Sequence, residues 1–268
     1  PKDNGSYSSR VSFMVGNAAI RAAEDLKRML VAAAARRLEV TPDDIEWEGE
    51  TCRVAGTDRE LAYPEVVAEA LKEAGTLNAR GAWSTPPETQ GGSFRGAAVG
   101  TSAGFSYAAL VVEVEVDEDT GEVRVIDVWV AHDCGRAINP LSVEGKVQGS
   151  VWMGMGQALG EETEYGGGGL PLRANFLDYR FPTIAESPPI DVTIVEAPDP
   201  NGPFGAKEAG EGSLSAFLPA LTSAIADAIG LRLFELPATP DRVYDAIVAR
   251  RRAERVRRAV KAASQEAD

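Results

Sequence analysis

Cysteine and histidine are nearly missing from this 268-residue chain: Cys52 and Cys134 are its two cysteines and His132 its one histidine. Two thiols are too few for a disulfide framework, an all-cysteine metal site or a cysteine-ligated iron–sulfur cluster. One imidazole cannot build a multi-histidine metal centre, so the chain is expected to supply no metal ligands of its own. Positive charge is also in deficit, with 27 Lys and Arg against 41 Asp and Glu and a net charge of −14. Such a chain repels phosphate backbones, which excludes nucleic acid as an expected partner. No uninterrupted apolar run reaches the length of a membrane span. The opening PKDNGSYSSR is polar and unlike a signal peptide, so a cytoplasmic location is expected. With Gly 27 and Pro 16 the chain is neither fibrous nor low-complexity, and 44% apolar with 25% charged residues suits one or two globular domains.

Periodicity supplies the elements. Val11, Val15, Ala18, Ala22, Leu26, Met29 and Ala33 recur at spacings of three and four, which predicts a long helix ending near Arg36 and Arg37. Two short strands are expected around Ile45–Glu48 and Cys52–Val54, then a helix from Pro64 that stops at Gly75. Residues 76–106 read as irregular. Leu110–Val116 and Val123–Val130 alternate around the turn Asp117-Glu-Asp-Thr-Gly121 and predict a hairpin, with a further strand at Asp191–Val195. Helices are expected near Pro140–Glu161, Leu214–Ile229 and Asp241–Arg258. Residues 250–268 form a basic helical tail, read as a solvated face or a docking surface for an acidic partner. The pattern is α+β rather than a regular βαβ alternation.

Three segments have the composition of a site. Gly5, Ser6, Ser8, Ser9 and Arg10 lie just ahead of the first helix, where hydroxyls, N–H groups and a guanidinium can hold a phosphate; the alternative is an ordinary N-cap. In Asn139–Gly160, Asn139 and Pro140 start a helix and Gly145, Gly149, Gly156 and Gly160 share one face, with Lys146 on or beside it. Four such glycines, each costing ~1 kcal/mol, imply close approach by a neighbouring helix or a bound cofactor. In Asp199–Ser213, Glu211 stands between Gly210 and Gly212 at a helix start, so it acts either as a base or acceptor toward a ligand or as a partner for the helix N–H groups.

In order and spacing, these segments resemble the molybdenum hydroxylases, the family of xanthine dehydrogenase and aldehyde oxidoreductase. The strings Asp-Asn-Gly-Ser-Tyr-Ser-Ser-Arg-Val (3–11), Gly-Asn-Ala-Ala (16–19), Gly-Arg-Ala-Ile-Asn-Pro (135–140), Val-Gln-Gly-Ser-Val (147–151) and Asp-Pro-Asn-Gly-Pro-Phe-Gly-Ala-Lys-Glu (199–208) carry the resemblance. The last is most similar to the 4-hydroxybenzoyl-CoA reductases within that family. The resemblance implies that residues 1–268 are the second half of the molybdopterin-binding region of a large subunit, folded as two mixed α/β lobes. It implies that Gly5, Ser6, Ser8, Ser9 and Arg10 hold the phosphates of a molybdopterin cytosine dinucleotide carrying molybdenum. Gly210 and Glu211 then lie beside the metal, with Glu211 as catalytic base. Lys146 replaces a glutamine that relatives direct to the pterin, and can donate to a pterin oxygen or phosphate as a point charge.

The implied reaction is reductive dehydroxylation of 4-hydroxybenzoyl-CoA to benzoyl-CoA. Oxidative hydroxylation of purines, other N-heterocycles or aldehydes is a second reading, and a non-catalytic structural subunit a third. Either catalytic reading implies iron–sulfur clusters and FAD on partner chains and the remaining half of the molybdenum domain. The resulting hetero-oligomer would act on a small molecule or a CoA thioester.

Overall fold

The computed structural model describes residues 5–6, 8–85 and 104–265, the side chains of 261–264 excepted. Its contacts divide the chain into two units: residues 1–104 with 201–203, and residues 105–200 with 204–268.

The first unit is built on α1 (Val11–Leu38), β1 (Ile45–Glu48), β2 (Thr51–Val54), β3 (Glu60–Ala62) and α2 (Tyr63–Ala74). Arg36 and Arg37 occupy the last turn of α1, and Glu39 closes it in a left-handed conformation with its N–H on the Ala35 and Arg36 carbonyls. The three strands form an antiparallel meander. β3 escaped the sequence reading because three residues are too few to display an alternation. Leu30, Ala33 and Ala34 of α1 pack with Cys52, Val66 and Ala70 in a small core, the alanines letting α1 lie close. The segment after α2 runs along α1. There Arg80 N–H donates to Asp25 at 2.9 Å, and a Cβ at Gly81 would collide with the Ala18 carbonyl. Residues 86–103, most of the stretch read as irregular, lie outside the described residues. Residues 201–203 join this unit: Asn17 Nδ2 donates to the Asn201 carbonyl at 2.9 Å, and the Pro203 ring fills the space a side chain at Gly16 would need. Two of the strings quoted above therefore touch, although 184 positions separate Asn17 from Asn201.

The second unit holds β4 (Tyr107–Val116), β5 (Val123–Asp133), α3 (Pro140–Leu159), β6 (Ile190–Val195), α4 (Glu211–Ile229) and α5 (Pro240–Gln265). β4 and β5 form the expected hairpin, with Leu110 opposite Val130. Asp117 accepts the N–H of Asp119 at 2.8 Å in the turn. β6 pairs with β5 in parallel, so β5–α3–β6 is a crossover unit inside a fold read as lacking βαβ alternation. One such unit leaves no repeat for a periodicity argument to find.

α3 and α4 contribute Val147, Val151 and Met155 and Phe217, Leu221, Ile225 and Ile229 to the main core. Gly154 lets the helices meet, because a Cβ there would come within 2.8 Å of the Phe217 ring. α4 is long and apolar enough to cross a membrane, against the expectation that no segment is. Serines and a threonine hide this from a search for uninterrupted runs. Its fully buried Phe217, Leu221, Ile225 and Ile229, spaced four apart, pack one face of it into the main core. α5 packs through Val243 and Ile247 and continues past the expected end at 258. Of its basic cluster, Arg250 and Arg251 reach Glu118.

Candidate functional site

The entrance to α4 is assembled from residues distant in sequence. β5 ends in Asp133, and the loop from Asp199 to Gly210 is laid across the residues that follow. Lys207 N–H donates to the Cys134 carbonyl at 2.8 Å and Arg136 N–H to the Gly205 carbonyl at 2.9 Å. Gly135 permits this approach, since its φ is +64° and a Cβ would lie 2.3 Å from the Gly205 carbonyl oxygen. The third and fifth strings of the sequence reading, 135–140 and 199–208, thus form one structural feature.

A buried ion pair pins that feature. Lys207 Nζ lies 2.6 Å from Asp133 Oδ2, with side-chain exposures of 9% and 11%. Asp133 Oδ1 accepts N–H groups from Gly135 at 2.9 Å and Ala197 at 3.2 Å. Burial pushes the Asp133 carboxyl upward, but the hydrogen bonds from Lys207, Gly135 and Ala197 with the Lys207 charge outweigh it. They hold the group below the ordinary aspartate range.

One turn of chain later, a second buried set surrounds the start of α4. His132 is fully buried, with Nδ1 3.2 Å from Ser213 Oγ and Nε2 3.3 Å from the Glu208 carbonyl oxygen. The Ser106 hydroxyl bonds Glu208 Oε1 closely. A Cβ on Gly212 would come within 2.8 Å of that oxygen and 3.3 Å of His132 Cε1. Gly212 therefore serves close packing on its inner side. The Ser150 hydroxyl of α3 donates to the Gly210 carbonyl. Glu211 itself occupies the first turn of α4 and is exposed.

The glycine face of α3 divides in two. Gly156 is filled by Glu161 and Pro182, and Gly160 faces the Arg180 carbonyl oxygen at 3.7 Å. Neither meets a neighbouring helix; that role falls to Gly154. Gly145 and Gly149 are exposed, and a Cβ on either would meet nothing within 4 Å. Lys146 is exposed between them. It lies one helical turn before Ser150, so the structure brings Lys146, Gly210 and Glu211 to one region of the second unit.

Gly5, Ser6, Ser8, Ser9 and Arg10 belong to the first unit. Gly5, Ser8 and Ser9 have φ of +80°, +58° and +49°. The N-cap of α1 is Arg10, with no capping side chain and no acidic residue in the first turn. The first N–H groups of α1 keep their partial positive charge unneutralised by the helix's own first turn.

Both regions suit a large anionic group: bare backbone and a lysine on α3, and serines, an arginine and a helix start with no acidic residue in its first turn at α1. Among the described residues no cluster of His, Cys, Asp and Glu could hold a metal ion directly. The sequence reading missed His132, Asp133, Lys207, Ser106, Ser150 and Ser213 as site residues. One signal was present for His132: it continues the inward-facing positions of Val128 and Val130 as the sole polar member of an apolar strand face.

The sequence profile of the molybdopterin cofactor-binding domain matches residues 1–188. The chain is 33% identical over 260 residues to the 6-hydroxypseudooxynicotine dehydrogenase complex subunit gamma of Paenarthrobacter nicotinovorans, covering 95% of this chain and 32% of that protein. It is 34% identical over 246 residues to the nicotine 6-hydroxylase large subunit of the same organism, covering 91% and 29%. The structure superimposes on the Cu,Mo-CO dehydrogenase crystal structure with a TM-score of 0.73 at 26% identity, covering 92% of this chain and 30% of that one. The chain thus spans about a third of the length of these relatives.

Proposed function

Since the chain belongs to the molybdopterin cofactor-binding domain family, we propose that it is the portion of a molybdenum hydroxylase large subunit that carries the catalytic base and part of the cofactor cradle. The cofactor is the molybdopterin cytosine dinucleotide form, a choice supported by the likeness to CO dehydrogenase. When bound, it supplies the two-electron redox change at molybdenum. Gly5, Ser6, Ser8, Ser9 and Arg10 bind its phosphates, and the start of α1 adds N–H donors and partial charge. Lys146 gives a further cation from α3. Glu211 holds and moves the proton of the reacting oxygen, and the Gly210 backbone sets its approach.

The reaction is oxidative hydroxylation of an electron-poor aromatic carbon with water as oxygen source. An N-heteroaromatic substrate is favoured because the 6-hydroxypseudooxynicotine dehydrogenase and nicotine 6-hydroxylase subunits match over nine-tenths of the chain. Electrons leave through iron–sulfur and flavin groups on partner chains. One observation carries the proposal: an exposed glutamate at a helix start that Ser150 ties to α3, the helix bearing Lys146 and bare backbone at Gly145 and Gly149.

A second reading keeps this machinery but runs it reductively, removing the hydroxyl of 4-hydroxybenzoyl-CoA. It rests on the likeness of the 199–208 string alone. The assembled complex decides between them. Hydroxylation of nicotine or another N-heteroaromatic with an artificial acceptor supports the first. Dehydroxylation of the thioester with a reduced donor, and no hydroxylation, supports the second. A complex without molybdenum and pterin overturns both and leaves a structural subunit.

A further inference from the structure

Glu211 stands in the run Ala209-Gly210-Glu211-Gly212. Two glycines give this run more backbone freedom to lose than any other pair of residues would. A base held within a few tenths of an ångström of its proton therefore needs restraint from outside the run. The structure supplies it from two directions. His132 on β5 touches both ends: its Nε2 meets the Glu208 carbonyl oxygen at 3.3 Å and its Nδ1 meets Ser213 Oγ at 3.2 Å. A carbonyl oxygen only accepts, so the Nε2–H tautomer is assigned, and Nδ1 accepts from the Ser213 hydroxyl. From α3, the Ser150 hydroxyl takes the Gly210 carbonyl. The Gly212 backbone is pressed against the His132 ring and against Glu208, itself bonded to Ser106.

An apolar side chain would fill the His132 position on this strand face, as Val128 and Val130 do beside it. Burying an imidazole there is costly unless both nitrogens are used, and both are used on the segment that carries Glu211.

We propose that His132 is a positioning residue for Glu211: bonded to residues 208 and 213 together, and aided by Ser150 at residue 210, it fixes the backbone that presents the carboxylate. This rests on the reading of Glu211 as base.

The test uses the assembled complex with four variants: His132→Phe, which keeps a ring and removes both polar contacts, His132→Gln, which can donate and accept, Ser150→Ala, and Glu211→Gln as reference. Amide hydrogen exchange is read over residues 208–213 with residues 217–229 as internal control. In His132→Phe and Ser150→Ala, exchange over 208–213 is expected to rise about tenfold while the control stays level. With the substrate that the unsubstituted complex turns over, kcat is expected to fall by about a hundredfold and KM to stay within about twofold. His132→Gln should recover most of the kcat loss.

Unchanged exchange over 208–213 in both variants overturns the proposal. So does an unchanged kcat in them while Glu211→Gln abolishes turnover, an outcome that leaves the base reading standing. If Glu211→Gln retains full turnover, the base reading falls, and the proposal with it, whatever the exchange shows. If His132→Phe does not fold, Ser150→Ala decides alone, since that hydroxyl contributes no core volume.

Discussion

The chain offers two polar loops that each feed a helix, and they are built on opposite terms. Ahead of α1, residues 5–10 hold left-handed φ at Gly5, Ser8 and Ser9, and a Cβ at Gly5 would meet nothing within 4 Å. Ahead of α4, the loop is held by a buried ion pair, backbone bonds to residues 134 and 136, and contacts from His132 and Ser150. The first loop is exposed at Gly5, Ser6 and Ser8, as suits a phosphate arriving from outside. The second spends its polar groups inward and leaves one carboxylate exposed. A binding loop tolerates slack because charge attraction acts over several ångströms, whereas a proton-transferring group does not, because its reaction needs hydrogen-bond geometry.

The sharpest way to break this contrast is Glu211→Gln in the complex. Turnover should fall by about 10²- to 10⁴-fold with molybdenum content unchanged. Retained turnover would mean that the rigid loop serves packing alone.

The next largest effect is expected on stability. Lys207→Met strands a buried carboxylate and should cost about 3–5 kcal/mol in denaturant unfolding. The pair also has a pH signature. Because the folded Asp133 carboxyl lies below its ordinary value, its contribution is full above the unfolded aspartate range near about pH 4 and is lost as pH falls through the lower folded value. Asp133→Asn should flatten that acid limb, and an unaltered limb would assign the acid sensitivity to other carboxylates.

Paired glycine substitutions come third. Gly212→Ala forces a methyl against Glu208 and His132 and should destabilise by about 1–3 kcal/mol, in the range of overpacking. Gly5→Ala meets only the left-handed backbone penalty, about 1–2 kcal/mol at most and less in a loop free to relax. Equal losses in thermal unfolding would erase the distinction between a packed and an open loop.

The smallest effect on the fold belongs to Ser8→Ala and Lys146→Gln, which should leave stability within about 0.5 kcal/mol because both side chains are exposed. Their effect should appear in cofactor retention through gel filtration, with molybdenum lost from the variants and kept by the parent complex. Full retention in both would remove these side chains from the cradle.

Much of this architecture was readable in advance, for local reasons. Alternation in 110–116 and 123–130 marked β4 and β5, and Pro64 and Gly75 bounded α2 within a residue or two. Glu211 drew attention because glycines flank a carboxylate at a helix start. The glycine face of α3 was read as one surface of close approach, and the structure shows close approach at Gly156 but none at Gly145 or Gly149. Periodicity shows which residues share a direction but not what lies opposite, and here Glu161, Pro182 and open space lie opposite different members.

The amino-acid order alone determined the helices, the hairpin and the family likeness, because each rests on spacings within a few residues or on short contiguous strings. The hold on Glu211 was decided by the tertiary fold. His132 lies 76 positions from Glu208 and 81 from Ser213, and Asp133 lies 74 from Lys207. Those pairs meet because β5 and α4 share one hydrophobic core, and no local pattern records which polar groups such a core brings face to face.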